Sequence, residues 1–294
     1  MSTSRPEVKA FYDPRTFSVQ YVASCPITKR CAIIDPVLDF DDKSGATATK
    51  SADAILAYVE EAGLKVDWIL DTHPHADHFS AADYLKGKTG APTAIGARVC
   101  EVQELWKRIY EWPALPTDGS QWEKLFEGGE TFKVGEVEGK VIYSPGHTLA
   151  SITYVIGDAA FVHDTLFMPD GGTARADFPG GSAASLYHSI EEILALPEET
   201  RVFTGHDYQP DRREPRWEST VSEQKRTNTH FAKMPSCEEF VALREARDRT
   251  LPMPRLILHA LQINIRAGRL PDADVDGRRF LKFPLNALEG AAWA

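Results

Sequence analysis

Residues 72–79 read Thr-His-Pro-His-Ala-Asp-His-Phe, which puts three imidazoles and one carboxylate on a single short loop. Neutral imidazole is the commonest metal ligand, and a carboxylate adds a hard, charge-balancing donor. His73, His75, Asp77 and His78 are therefore candidate ligands. A simpler use exists, in which Asp77 pairs with one histidine and caps the next helix. Three histidines on one strand-end loop argue against it, because each needs a partner that water does not explain. Further chemistry-bearing residues end other strand-like runs. His147 stands in Ser-Pro-Gly-His-Thr, Asp164 in Phe-Val-His-Asp-Thr and His206 in Thr-Gly-His-Asp-Tyr. One such residue would be ordinary. Three of them, after His-x-His-x-Asp-His, point to a metal site assembled from several strand ends.

The elements that must carry these residues follow from periodicity. Alternation over 16–23 and the apolar run 31–34, closed by Asp35-Pro36, predict strands. The polar stretch 41–51 reads as a loop. Helical spacing of Ile55, Leu56 and Val59 predicts a helix over 52–62 that stops at Gly63. A strand at 66–70, the histidine loop and a helix near 80–88 follow. From 131 to 167 consecutive strands are broken only by the loop 144–148, then come a helix at 183–195 and a strand at 201–204. Beyond 210 the pattern is helical, over 216–230, 237–249 and 254–267. Two β-rich halves flanked by helices predict an α+β fold, an αββα sandwich over residues 1–210. A helical extension, 211–294, is expected to pack on it and contribute to the substrate cleft. Trp106, Tyr110, Trp112 and Trp122 are candidate cleft aromatics, although residues at such spacing more often belong to a core.

Composition narrows the class. The chain has 294 residues, 43% apolar and 26% charged, as a soluble protein with a sizeable core does. A net charge of −10 argues against a nucleic-acid or acidic-membrane partner, though a local cluster of cations still admits a small anion. The four cysteines show no CxxC spacing and read as free thiols of a reducing compartment. Cys25 and Cys31 are the one pair a hairpin would bring face to face. The N-terminal residues show no secretory or transit pattern and the chain no membrane span, so a cytoplasmic protein is expected.

His-x-His-x-Asp-His at 73–78, Gly146-His147-Thr148, Asp164 and His206 together resemble the metallo-β-lactamase superfamily over about residues 16–210. The resemblance implies the αββα fold with a helical C-terminal extension and a metal site at one edge of the sandwich. It covers hydrolases, oxidoreductases and nucleases, so the fold alone does not fix the activity. A glyoxalase II-like binuclear thioester hydrolase would hold one ion with His73, His75 and His147. Asp77, His78 and His206 would hold the other, with Asp164 bridging. All of these residues are present. Arg175-Ala176-Asp177-Phe178 and the stretch 206–240 are instead similar to bacterial persulfide dioxygenases. Departures from the mitochondrial type are His163 before Asp164, where glycine is usual, the inserted Pro169-Asp170 and a longer Trp106–Trp122 loop.

That second resemblance implies one Fe(II) per chain, held by His73, His147 and Asp164, and oxidation of glutathione persulfide by O₂ to sulfite and glutathione. His75 becomes a supporting residue, and Asp77, His78, His206 and Tyr208 are the candidates for catalysis around the metal. Asp207 is expected to hold a histidine or the loop. Arg175, Tyr208, Lys225 and Arg226 are candidates for binding the carboxylates of glutathione, although Arg175 could instead pair with Asp177 to shape its loop. Relatives often associate, so a homo-oligomer, in the simplest case a dimer, is expected. A metal or persulfide sensor on the same fold is the non-enzymatic reading.

Overall fold

A computed structural model describes residues 5–288; residues 1–4 of the N-terminal segment and the last six of the extension lie outside it. The first half runs β1 (Glu7–Asp13), β2 (Ser18–Ser24), β3 (Arg30–Ile34), β4 (Val37–Asp41), β5 (Ala46–Ala48) and α1 (Lys50–Glu61). It continues with β6 (Lys65–Leu70), β7 (Phe79–Ser80), α2 (Ala82–Thr89), β8 (Thr93–Gly96), α3 (Val99–Ile109) and β9 (Lys124–Phe126). The second half runs β10 (Thr131–Val134), β11 (Val137–Tyr143), β12 (Ile152–Ile156), β13 (Ala159–His163), α4 (Ala183–Leu194) and β14 (Arg201–Thr204). It closes with β15 (Glu218–Thr220), α5 (Val221–Thr227), α6 (Cys237–Asp248) and α7 (Ile257–Asn264).

Two six-stranded sheets result, ordered β1-β2-β3-β6-β8-β9 and β10-β11-β12-β13-β14-β15. Their inner faces meet in one apolar cluster. Tyr21, Ala32, Leu70 and Phe126 come from the first sheet, Val141, Tyr154, Phe161 and Phe203 from the second. The outer face of the first sheet is covered by α1, α2 and α7 through Ile55, Leu85 and Ile263. That of the second is covered by α4, α5 and α6 through Ile190, Val221 and Phe240. Helix, sheet, sheet, helix is the predicted α+β sandwich.

Several details differ from the sequence reading, each for a local reason. β1 was missed because it is an edge strand with a half-exposed pattern. The polar 41–51 stretch belongs to a hairpin, β4–β5, turned at Gly45 with φ +71°. The expected helix at 216–230 gives its first residues to β15, which pairs with β14, so the second sheet continues past residue 210. The Trp106–Trp122 segment starts inside α3. Trp106, Tyr110 and Trp122 are buried in the cluster that joins α3 to α7, with Trp112 packed against it, so they are core. Cys25 and Cys31 fall in the clusters on opposite faces of the first sheet, which explains why they are free thiols. Among the described residues no helix is long and apolar enough to cross a membrane.

Strand direction positions the site. β12 is antiparallel to both β11 and β13, and β13 is parallel to β14. Strands β11, β13 and β14 therefore end at the same edge, delivering His147, Asp164 and His206 there. β6 of the other sheet delivers the histidine loop, and a bridge between Ser18 and His206 joins the sheets at this edge.

Candidate metal centre

The ligand-capable atoms of His73, His147 and Asp164 all lie within 4.8 Å of one another, and all three residues are buried. The surrounding hydrogen bonds decide which atoms are free. The Thr72 hydroxyl donates to Asp35 Oδ2 at 2.9 Å, so at 3.0 Å from His73 Nδ1 it accepts that ring's proton. His73 Nε2 is left with a lone pair and no hydrogen-bond partner. His147 Nδ1 donates to the Arg175 carbonyl at 2.9 Å, which likewise frees Nε2. His206 Nδ1 lies 2.6 Å from Asp164 Oδ1, leaving Oδ2 to face His147 Nε2 at 3.5 Å and His73 Nε2 at 3.9 Å. Two imidazole nitrogens and a carboxylate oxygen thus converge with nothing between them. A divalent cation fits this donor set, since an unpartnered buried nitrogen otherwise costs free energy.

Electrostatics prepares the same three groups. Burial holds His73 well below its ordinary value, and it also lowers His147 against the pull of Asp164, so both stay neutral and able to ligate. Burial alone would raise Asp164, but His206 and His147 bring it down to about 2, so it is ionised. A chain turn sets its direction. His163 adopts φ +41° where β13 and β14 shift register, and this bulge re-aims the strand end. The His163 ring is held by Ser144 Oγ at 3.2 Å and Thr165 Oγ1 at 2.9 Å, which compensates a conformation that costs roughly 1–3 kcal/mol without glycine.

The other histidine-loop residues do different things. His75 Nε2 bonds Asp35 at 3.0 Å, and its remaining ligand atom groups with Asp77 and His78 rather than with the first three residues. His78 donates through Nδ1 to the Phe79 carbonyl and is buried behind the loop. His206 is bonded at both ring nitrogens, Nδ1 to Asp164 and Nε2 to Asp77 at 2.7 Å. Burial would lower its pKa, yet the two carboxylates and Tyr208 raise it well above the ordinary value. Asp207 holds the loop rather than a histidine, through Arg213 and the Arg216 amide.

A cavity of about 600 Å³ opens onto the centre, and Asp77, His147, Asp164, Phe178 and Tyr208 are among its walls. Tyr208 lies parallel to His206 with centroids 5.5 Å apart. Arg175 borders the cavity, but its fork is committed to Asp177 at 2.6 and 2.8 Å and to the Pro252 carbonyl. Lys225 and Arg226 do not reach the cavity; both are exposed on the last turn of α5, the solvated side of that helix. The cations that do border it besides Arg175 are Arg244 and Arg247 of α6, with His230. Sequence reasoning missed these and also Asp35 and Thr72. Asp35 had a signal, as a carboxylate closing an apolar strand. Arg244 and Asp248 had the i,i+4 spacing of a helical pair, while His230 had none.

The model of the metallo-beta-lactamase superfamily matches residues 16–206, which contain every ligand-capable residue of the centre. The chain belongs to the metallo-β-lactamase superfamily. A "Beta-lactamase hydrolase-like protein" of Xylella fastidiosa is 70% identical over 98% of this chain and 67% of its own length. "Glyoxylase B2" of Dictyostelium discoideum is 44% identical over 98% and 99%. The mitochondrial persulfide dioxygenase ETHE1 of Bos taurus is 29% identical over 89% and 88%. The crystal structure of ETHE1 from Myxococcus xanthus superposes with TM-score 0.71 and 30% identity, covering 90% of this chain and all of that one. The superposition therefore extends beyond the matched segment.

The buried histidines predict how stability of the metal-free superfamily domain varies with pH. His78, His230 and His163 are depressed by burial to about 4, 4 and 3, so folding is opposed once the unfolded chain binds their protons below pH 6.5. Asp71, pushed up to about 7 by burial, works the other way over part of that window, against those three and the likewise depressed His73 and His147. His75 is lowered by burial but raised more by Asp35, to about 9, so its contribution is lost as pH rises from 6.5 through 9. The melting temperature should peak near pH 6.5 and fall on both sides. A thermal melt of chelator-treated protein at half-unit steps checks this, and a midpoint still rising at pH 8.5 would contradict it.

Proposed function

We propose that this chain is an Fe(II)-dependent persulfide dioxygenase, taking glutathione persulfide, O₂ and water to sulfite and glutathione. The observation that carries this reading is the asymmetry of the donors. His73, His147 and Asp164 each keep one free ligand atom aimed at a common point, whereas His206, which a binuclear site would need, is bonded at both nitrogens. Two histidines and one carboxylate leave open positions on Fe(II), the arrangement of non-haem oxygenases, and iron supplies the redox chemistry. The names of the ETHE1 relatives point to the same reaction.

The chain's own groups then have defined tasks. Thr72 and the Arg175 carbonyl hold the two ligand rings by their Nδ1 protons, and His206 holds Asp164. Asp77 reaches the cavity while bonded to His206 Nε2 and Ser18. Burial would raise its carboxylate, but His206 lowers it and keeps it ionised, placed to accept a hydrogen bond from a water or from the incoming thiol. Tyr208 extends the wall beside it. Arg247 has no ion-pair partner among the described residues and suits a carboxylate of the thiol carrier, with His230 beside it in the cavity wall.

The second reading is a binuclear thioester hydrolase, favoured by the groupings of His75, Asp77 and His78 and of Asp77, Asp164 and His206, by the unpartnered His75 Nδ1 and by the name of the Dictyostelium relative. Metal count separates the two. Protein loaded anaerobically with Fe(II) should bind one ion per chain and consume one O₂ per glutathione persulfide, with sulfite as product. Two bound ions, hydrolysis of lactoylglutathione and no oxygen uptake would replace the dioxygenase with the hydrolase.

A further inference from the structure

The largest fully buried side chain is an arginine, Arg244, only 2% exposed, and its partner Asp248 is 3% exposed. A buried ion pair is weak evidence for stability, since desolvating two charges offsets their attraction. Its connections give it another use. Arg244 binds Asp248 Oδ1 through Nη2 at 2.7 Å and donates through Nη1 to the Thr173 carbonyl at 3.1 Å. The other oxygen, Asp248 Oδ2, accepts the Ala176 amide at 2.9 Å. The two charges therefore grip the backbone at residues 173 and 176. Between these points lies Arg175, whose carbonyl takes the Nδ1 proton of His147. The Arg175 side chain fastens the same segment to the Pro252 carbonyl, just beyond α6.

We infer that the Arg244–Asp248 pair is a positioning element for His147, which fixes the carbonyl that orients this ring toward the metal. Helix α6 thereby sets metal affinity from outside the ligand set. The inference rests on the His73–His147–Asp164 centre but not on the dioxygenase reaction, so it is read with a redox-inert probe.

The experiment titrates Co²⁺ into the full-length protein and follows the visible ligand-field bands together with the melting temperature. The double variant Arg244→Met/Asp248→Leu removes both charges without leaving one unpaired. It should remain folded, bind Co²⁺ about 10–100-fold more weakly and show shifted bands, as loss of a group that orients a ligand does. Asp248→Asn, which keeps the shape, should show a smaller change in the same direction and serves if the double variant does not fold. Glu239→Ala removes the capping box of α6 without touching residues 173–176 and is the stability control. It should lower the melting temperature and leave Co²⁺ affinity unchanged. Parental affinity and bands in both clamp variants would overturn the inference. So would an equal loss of affinity in Glu239→Ala, because the effect would then be helix stability alone.

Discussion

His147→Ala should lose its metal and its activity together while the protein stays folded. The ring supplies one of three converging ligand atoms, and nothing nearby replaces it: His75 groups with other residues, and both His206 nitrogens are bonded. The loss of affinity should exceed the roughly 100-fold reached by residues that only support a ligand. Metal content after dialysis, beside an unchanged far-ultraviolet circular dichroism spectrum, measures it. His75→Ala is the contrast and should retain its metal. A His147→Ala protein with a full complement of metal would show that the centre is built from other residues.

Gly146→Ala should cost more stability than any single ligand substitution. Gly146 has φ +132°, a conformation nearly closed to L side chains, and an added Cβ would run into the backbone of Leu186 at the start of α4. Ser182, whose hydroxyl caps that helix, donates its amide to the Gly146 carbonyl at 2.9 Å, so the loop cannot shift without moving α4. Strain and clash together should cost roughly 3–5 kcal/mol, a fall in melting temperature on the order of 10 °C. Scanning calorimetry of the metal-free protein reads this. A melting temperature within a degree or two of the parent would mean that the loop repacks at no cost.

The sandwich was legible because its inner strands alternate or run apolar, and the convergence of His73, His147 and Asp164 because several histidines and aspartates end successive strands, although any one of them would be ordinary. β1 and the β4–β5 hairpin were not, since the half-exposed β1 and the three-residue β5 carry too weak a pattern and β4 ends in Asp39-Phe40-Asp41. The limits at the site are physical too. Lys225 and Arg226 lie near the relevant helices in sequence, yet the face a side chain takes on a seven-residue helix depends on what that helix packs against. Arg175 read equally well as a carboxylate binder and as a partner of Asp177. Only the positions of the Pro252 and Leu251 carbonyls, some 76 residues further on, show that its donors are taken. Arg244 was hidden for the opposite reason, because a charged residue in an otherwise ordinary amphipathic helix reads as its solvated face.

The bridge between Ser18 and His206 has a consequence for how the chain folds. β10 to β13, joined by two tight turns and the loop 144–151, form one meander of nearest neighbours. The edge carrying the candidate ligands closes only when residues 188 positions apart meet. Such non-local closure follows local pairing, because its loop entropy must be overcome first. The meander should thus be an early unit and the ligand set one of the last parts to assemble. Metal then acts chiefly on the finished edge, slowing its reopening rather than guiding the strands together.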